Sequence, residues 1–237
     1  MQAGQAERRL YQAAGEGVVV PTYLVCEESA AINDAHGGLA RGIAALIRLI
    51  VSEPLLADIV SLGLITFSSS AQVAFRGLRA WDDPPPYELR AAGPSRWGPA
   101  FRALASVLPA DVRQLRDEGY KVYRPRTFFL VSRPPQDAGW SEVFRETLTY
   151  DKATGTGLRQ YPVFHPVSVG SGLSDGSLSS LAYPPGKGHW LRARDAEEAG
   201  RLVTQSFRSL ITDLPGRWPS VPPMTAASDM SGQGNLV

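Results

Sequence analysis

Cysteine is nearly absent from this chain: Cys26 is the only one among 237 residues. That excludes an intramolecular disulfide and a cysteine-rich zinc site. Cys26 lies inside an apolar run with no histidine near it in sequence, so it reads as a small buried hydrophobe and not as a reactive thiol. Histidine is scarce as well, with three in total. None of His36, His165 and His189 is spaced from Cys26 or from a serine so as to argue for a catalytic pair. His165 falls inside a strand and reads as a satisfied core residue. His36, beside Asp34, reads as a surface group. Net charge is almost absent too, at +1, so there is no basic field for nucleic acid or an anionic membrane. No apolar run approaches the ~20 residues of a membrane span. Residues 1–17 lack the apolar core of a secretory signal. The expectation is a soluble, cytoplasmic protein that does not enter a membrane.

What is present is an ordinary globular composition, 43% hydrophobic and 20% charged, on a chain long enough for one sizeable core. The run Val18 to Cys26 is apolar without alternation, which reads as a strand buried on both faces. It ends abruptly in Glu27, Glu28 and Ser29. A helical pattern from Ala30 to Ser52 follows, with one apolar face. Polar residues at a strand-to-helix join stand at the carboxyl edge of a parallel sheet, where ligand sites form.

The rest of the chain alternates. Strands are expected at Ile59 to Ser68 and Ala71 to Leu78, linked too tightly for a crossover and so antiparallel. Leu55 to Asp58 reads as a connection. A helix is expected from Trp97 to Arg116, split near Pro109. Further strands are expected at Arg126 to Val131, Tyr161 to Val169 and His189 to Arg192. Helices are expected at Trp140 to Thr149 and Ser177 to Ala182, and after the Asp195-x-x-Glu198 start signal. This order predicts an α/β fold with a mostly parallel central sheet, one antiparallel edge strand, and helices on both faces. Residues 1–17 read as a flexible lead-in, 18–214 as the domain, and 215–237 as a Pro-, Ser- and Gly-rich tail. The Trp81-to-Tyr87 loop sets two aromatics around an acidic, proline-rich core. It reads either as a packed loop or as a partner-binding epitope. Gly170-Ser171-Gly172 lacks what a phosphate loop needs and reads as a turn.

The element order, with VPTYLVCEESAAI, VSLGLITFSSSAQV, AAGPSRWGPAFRAL, TFFLVSRPPQD and HPVSVGSGLSDGSLSSLA, resembles the von Willebrand factor type A domain. It is most similar to the bacterial tellurium-resistance-associated cytosolic group. The resemblance implies a metal-ion-dependent adhesion site built by three loops, taking a carboxylate from a partner protein. Mg²⁺ there needs near-octahedral oxygens at about 2.0–2.1 Å.

Carried over by residue, Glu27 stands for the family's first Asp and Ser29 matches its first Ser. Ala31 replaces the second Ser, Ser95 keeps the hydroxyl of the Thr, and Ser132 and Arg133 replace the distal Asp-Gly. Arg133 and Arg96 bring positive charge near the cation position, which disfavours a dication by several kcal/mol on Coulomb reasoning. The expectation is a site without metal, in which Arg133 or Arg96 pairs with Glu27 or Glu28. The alternative is a rebuilt Mg²⁺ or Mn²⁺ site using Glu27, Ser29, Ser95 and Asp137, with Glu28 nearby. Either way the expected function is non-catalytic protein binding in a bacterial multi-protein assembly or signalling cluster. Glu27, Glu28, Ser29, Ser95, Arg96, Ser132, Arg133, Trp81 and Tyr87 would form the docking face. A small α/β enzyme is a third class, but there is no Gly-x-Ser-x-Gly elbow and no P-loop.

Overall fold

The computed structural model describes residues 17–28, 54–78 and 93–210, with isolated positions at 15, 44, 47, 48, 50 and 52. Ser29, Ala31, Trp81 and Tyr87 lie outside the described residues, as do most of the expected first helix and the C-terminal tail.

The strand β1 (Val18–Glu27) is buried along its whole length. It is followed by α1 (Pro54–Ile59), β2 (Val60–Phe67), β3 (Ala71–Leu78), α2 (Trp97–Asp117), β4 (Lys121–Val122) and β5 (Arg126–Val131). The chain continues through α3 (Trp140–Leu148), β6 (Val163–Val169), α4 (Asp175–Leu181), β7 (Leu191–Ala193) and α5 (Ala196–Leu210). The sheet runs β3-β2-β1-β5-β6-β7, with β4 also pairing β1. Every pair is parallel except β2 with the edge strand β3.

Pro21 stands inside this central strand although it has no N–H to give. The register explains why it is tolerated. On one side of β1, pairing to β4 covers Val18 and Val19, and pairing to β5 begins at Thr22. Pro21 falls in the gap between them.

Alternation along the strands divides the core into two layers. Leu24, Cys26, Leu62, Leu64, Phe128 and Val167 pack on one face, against helical Ile47 and Ile50 and against Leu56 and Val203. Tyr23, Val25, Ile65, Phe129 and Val131 pack on the other, against Trp97, Phe101 and Leu104 of α2. Phe144 and Leu148 of α3 and Leu178 and Leu181 of α4 join that face.

Three expectations need correction. Leu55 to Asp58 is helical, with Pro54 at the first position of α1, where its missing N–H costs nothing. Lys121–Val122 forms a strand that has no periodic signal of its own and exists because β1 offers pairing. And Pro109 does not split α2, which is continuous over 21 residues. Leu104 and Leu108 before it and Val112 and Leu115 after it are all buried on the same layer. That shared burial holds the helix across the proline in spite of the lost bond to the Ala105 carbonyl.

Candidate functional site

In this sheet the chain leaves β1 toward β2 on one side and returns as β5 on the other. The gap between the carboxyl ends of β1 and β5 is therefore the topological switch point, where open α/β sheets bind ligands. Glu27 ends β1, and Ser132 follows the end of β5.

The Glu27 side chain is fully buried. Its Oε2 accepts from the Ser132 backbone N–H at 2.7 Å and from the Ser132 hydroxyl at 3.0 Å. Its Oε1 accepts from Nε of Arg133 at 3.3 Å, forming an ion pair. The same Arg133 donates through Nη2 to the Gly93 carbonyl at 3.3 Å. One guanidinium therefore joins the end of β1, the loop before α2 and the loop after β5. Glu28 is buried beside it, and its backbone N–H donates to the Phe67 carbonyl at the end of β2.

The second loop is tied down in the same manner. Ser95 is buried, and its N–H donates to the Gln136 side chain at 3.1 Å while its carbonyl accepts from the Gln136 N–H at 2.7 Å. The Ser95 hydroxyl accepts from the Trp97 indole N–H at 3.2 Å. Trp97 is itself buried edge-on against Phe129 and Trp140, with ring centroids 5.2 and 5.0 Å away. Arg96 is exposed, and its backbone N–H donates to the Ser68 carbonyl. Among the described residues the ion partner of Glu27 is thus Arg133, while Arg96 is exposed.

Asp137 is engaged elsewhere. Its Oδ1 accepts from the Trp97 N–H at 2.9 Å and its Oδ2 from the Gly98 N–H at 2.8 Å. These are orphan donors of the first turn of α2, so a loop some 40 residues away caps the helix. A Cβ at residue 98 would lie 2.8 Å from that carboxylate, so Gly98 is what admits the cap.

Sequence reasoning set Glu27, Ser132 and Arg133 at one position, and they are joined there; the hydrogen bonds of Ser95 and Asp137, which it grouped with Glu27 as possible metal ligands, go to Gln136, Trp97 and Gly98. It did not single out Gln136, Trp97 or Gly93, and it read Gly172 only as part of a turn. The Cα of Gly172 packs so closely on the third loop that a Cβ there would overlap the Ser132 carbonyl oxygen. A Gly-Ser-Gly turn ending a strand was the available signal for that close approach.

Two buried polar groups lie away from this edge. Tyr23 donates to Asp111 of α2 at 2.8 Å, and Arg76 of β3 donates to the same carboxylate at 3.0 Å. Burial pushes the Asp111 carboxyl above its ordinary range, against the opposing pull of Tyr23 and Arg76. Burial, and secondarily the Glu28 charge, pushes the Cys26 thiol up, which keeps it protonated and unreactive. Among the described residues no three His, Cys, Asp or Glu side chains converge as metal ligands. No helix of the described residues is long and apolar enough to cross a membrane.

No family model matches the chain, and no curated protein matches it in sequence. Solved structures match its fold. Proximal thread matrix protein 1 from the mussel byssus aligns with 80% of this chain and 47% of its own, at a TM-score of 0.55 and 12% identity. The same protein with a zinc-occupied MIDAS motif aligns with 82% of this chain and 46% of its own, at a TM-score of 0.51 and 12% identity. The pilus adhesin SpaC from Lactobacillus rhamnosus GG, in its open conformation, aligns with 83% of this chain and 30% of its own, at a TM-score of 0.57 and 13% identity. This chain spans less than half the length of each of these proteins. Together with the sheet order and the single antiparallel edge strand, these likenesses assign the chain a Rossmann-like von Willebrand factor type A fold.

Proposed function

We propose that this chain is a non-catalytic protein-interaction module that docks its partner at the carboxyl edge of the sheet without an ion. Arg96, Ser132 and Arg133 form the reachable part of the docking face, over the buried Glu27, Glu28 and Ser95 that hold it in place; from the sequence, Ser29, Trp81 and Tyr87, which lie outside the described residues, are assigned to it as well. The observation that carries this reading is the Arg133 bridge, from Glu27 at the end of β1 to Gly93 in the loop before α2.

Both Glu27 oxygens already accept hydrogen bonds from Ser132 and Arg133. A divalent cation bound to the same carboxylate would face the guanidinium across a partly dry site, where like charges repel strongly. The rival ligand set needs Asp137, whose two oxygens cap α2. Recruiting it would expose the helix N-terminus, a loss of roughly 1 kcal/mol. The residues present therefore do not fit a hard dication. The resemblance of the sequence to tellurium-resistance-associated A domains supports a setting in a cytoplasmic bacterial assembly or stress-signalling cluster.

The test is affinity capture from native cells with the wild-type chain, with and without EDTA, and with the Glu27→Ala/Arg133→Ala variant. The same partners should be retained in EDTA and lost from the double variant. Partners that survive the double substitution would move the docking face elsewhere. Partners lost in EDTA alone would favour the metal-dependent adhesion reading.

A further inference from the structure

We propose a second binding surface at the opposite, amino-terminal edge of the sheet, for an acidic peptide segment of a partner protein. An open groove of about 580 Å³ lies there, between the last turns of α2, the link from β4 to β5, and the chain leading into β6. Arg116, Arg124 and Arg159 line it, one from each of these elements. Among the described residues no carboxylate lines it.

The three arginines differ in what holds them. Arg124 is fixed: it donates to the Tyr161 carbonyl at 3.0 Å, and its guanidinium sits 3.9 Å from the Tyr161 ring centroid. Arg116 and Arg159 are exposed, and neither is paired with a carboxylate among the described residues. Surface arginines serving only solubility are usually interspersed with acids. Three converging on one groove from separate parts of the chain make a local positive field on a molecule whose formal net charge is only +1.

The groove's chemistry narrows its ligand. Val112, Val122 and Pro125 give it an apolar floor. The arginines suit carboxylates or phosphates, which they bind bidentately. The groove is open, so it does not enclose the 70–90% of a small ligand's surface that small-molecule sites bury. Among the described residues no Gly-rich loop or helix N-terminus lines it to cradle phosphates. A chain passing through, with acidic side chains set between apolar ones, satisfies both rim and floor. This surface is independent of the carboxyl edge, since Arg133 plays no part in it.

The test uses fluorescence anisotropy with a labelled peptide of alternating Glu and Leu and a matched Lys-Leu peptide. The targets are the full wild-type chain, Arg116→Glu/Arg159→Glu, and Arg133→Ala. The wild type should bind the Glu peptide, more weakly as salt rises, and should not bind the Lys peptide. The double reversal should weaken the Glu peptide at least tenfold and bind the Lys peptide instead, with its melting temperature kept because both side chains are exposed. Arg133→Ala should bind like the wild type. Equal affinity in the double reversal, no binding of the Glu peptide by the wild type, or displacement by inorganic pyrophosphate at lower concentration than by unlabelled Glu peptide would each overturn the assignment.

Discussion

Removing the Arg133 guanidinium would leave the buried Glu27 carboxylate without this cation, although the two Ser132 donors remain. Arg133 is itself 25% exposed, so solvent softens the loss. Arg133→Ala should destabilise the fold by about 1–3 kcal/mol, read as a lower urea midpoint at an unchanged slope. Arg96→Ala, at an exposed residue, should stay within about 0.5 kcal/mol of wild type. The sequence placed both arginines near Glu27 but could not choose between them. The choice depends on where the loop after β5 turns, a tertiary fact with no local signature. His165 is a second residue with a measurable consequence. Arg126 can only donate, so the ring Nε2 3.4 Å away must accept. At the other ring nitrogen, Nδ1, the His189 carbonyl and the His189 N–H both stand 3.3 Å away, one suited to a donor and the other to an acceptor. Burial first, and then the Arg126 charge, lower its pKa to about 4 from 6.5. The folded pKa is depressed, so the unfolded chain binds the proton more readily. Stability is full above pH 6.5 and is lost as pH falls toward 4. The loss should reach roughly 2 kcal/mol by about pH 5. His165→Gln, which keeps an acceptor, should flatten that slope in urea titrations at several pH values.

Helix α2 is the element on which the site depends, and its two ends respond differently to substitution. At its start, Asp137→Ala removes the acceptor of two first-turn N–H groups. The expected cost is about 1 kcal/mol, together with faster hydrogen exchange at Trp97 and Gly98. In its middle, Pro109→Ala restores a backbone bond without disturbing the buried face. It should stabilise the protein by about 1–2 kcal/mol, seen as a higher melting temperature. In the loop after β6, Gly172→Ala should be more damaging than Asp137→Ala, because the new Cβ meets the Ser132 backbone and not a movable side chain. The buried strands were legible from their apolar runs and α2 from its spacing, because burial on a whole face leaves a periodic trace. The cap by Asp137 and the buttress at Gly172 were not legible. Each joins residues about 40 positions apart, and a lone Asp or a Gly-Ser-Gly turn carries no sign of its partner.

The described residues form a mostly parallel sheet whose switch point carries the Glu27–Arg133 ion pair. The fold could be read from the sequence because strand and helix signals alternate, and the right-handed crossover rule leaves few ways to connect them. The site could be read only as a place and a list of departures from a metal-binding pattern. What fills it depends on three loops meeting, and on Arg133 reaching both Glu27 and Gly93. The most direct test is isothermal titration of the full chain with Mg²⁺ and Mn²⁺ near neutral pH. We expect no binding in the low micromolar range and no rise in melting temperature at millimolar metal. Saturable low-micromolar binding, or a melting temperature that climbs with metal concentration, would contradict the ion-free account.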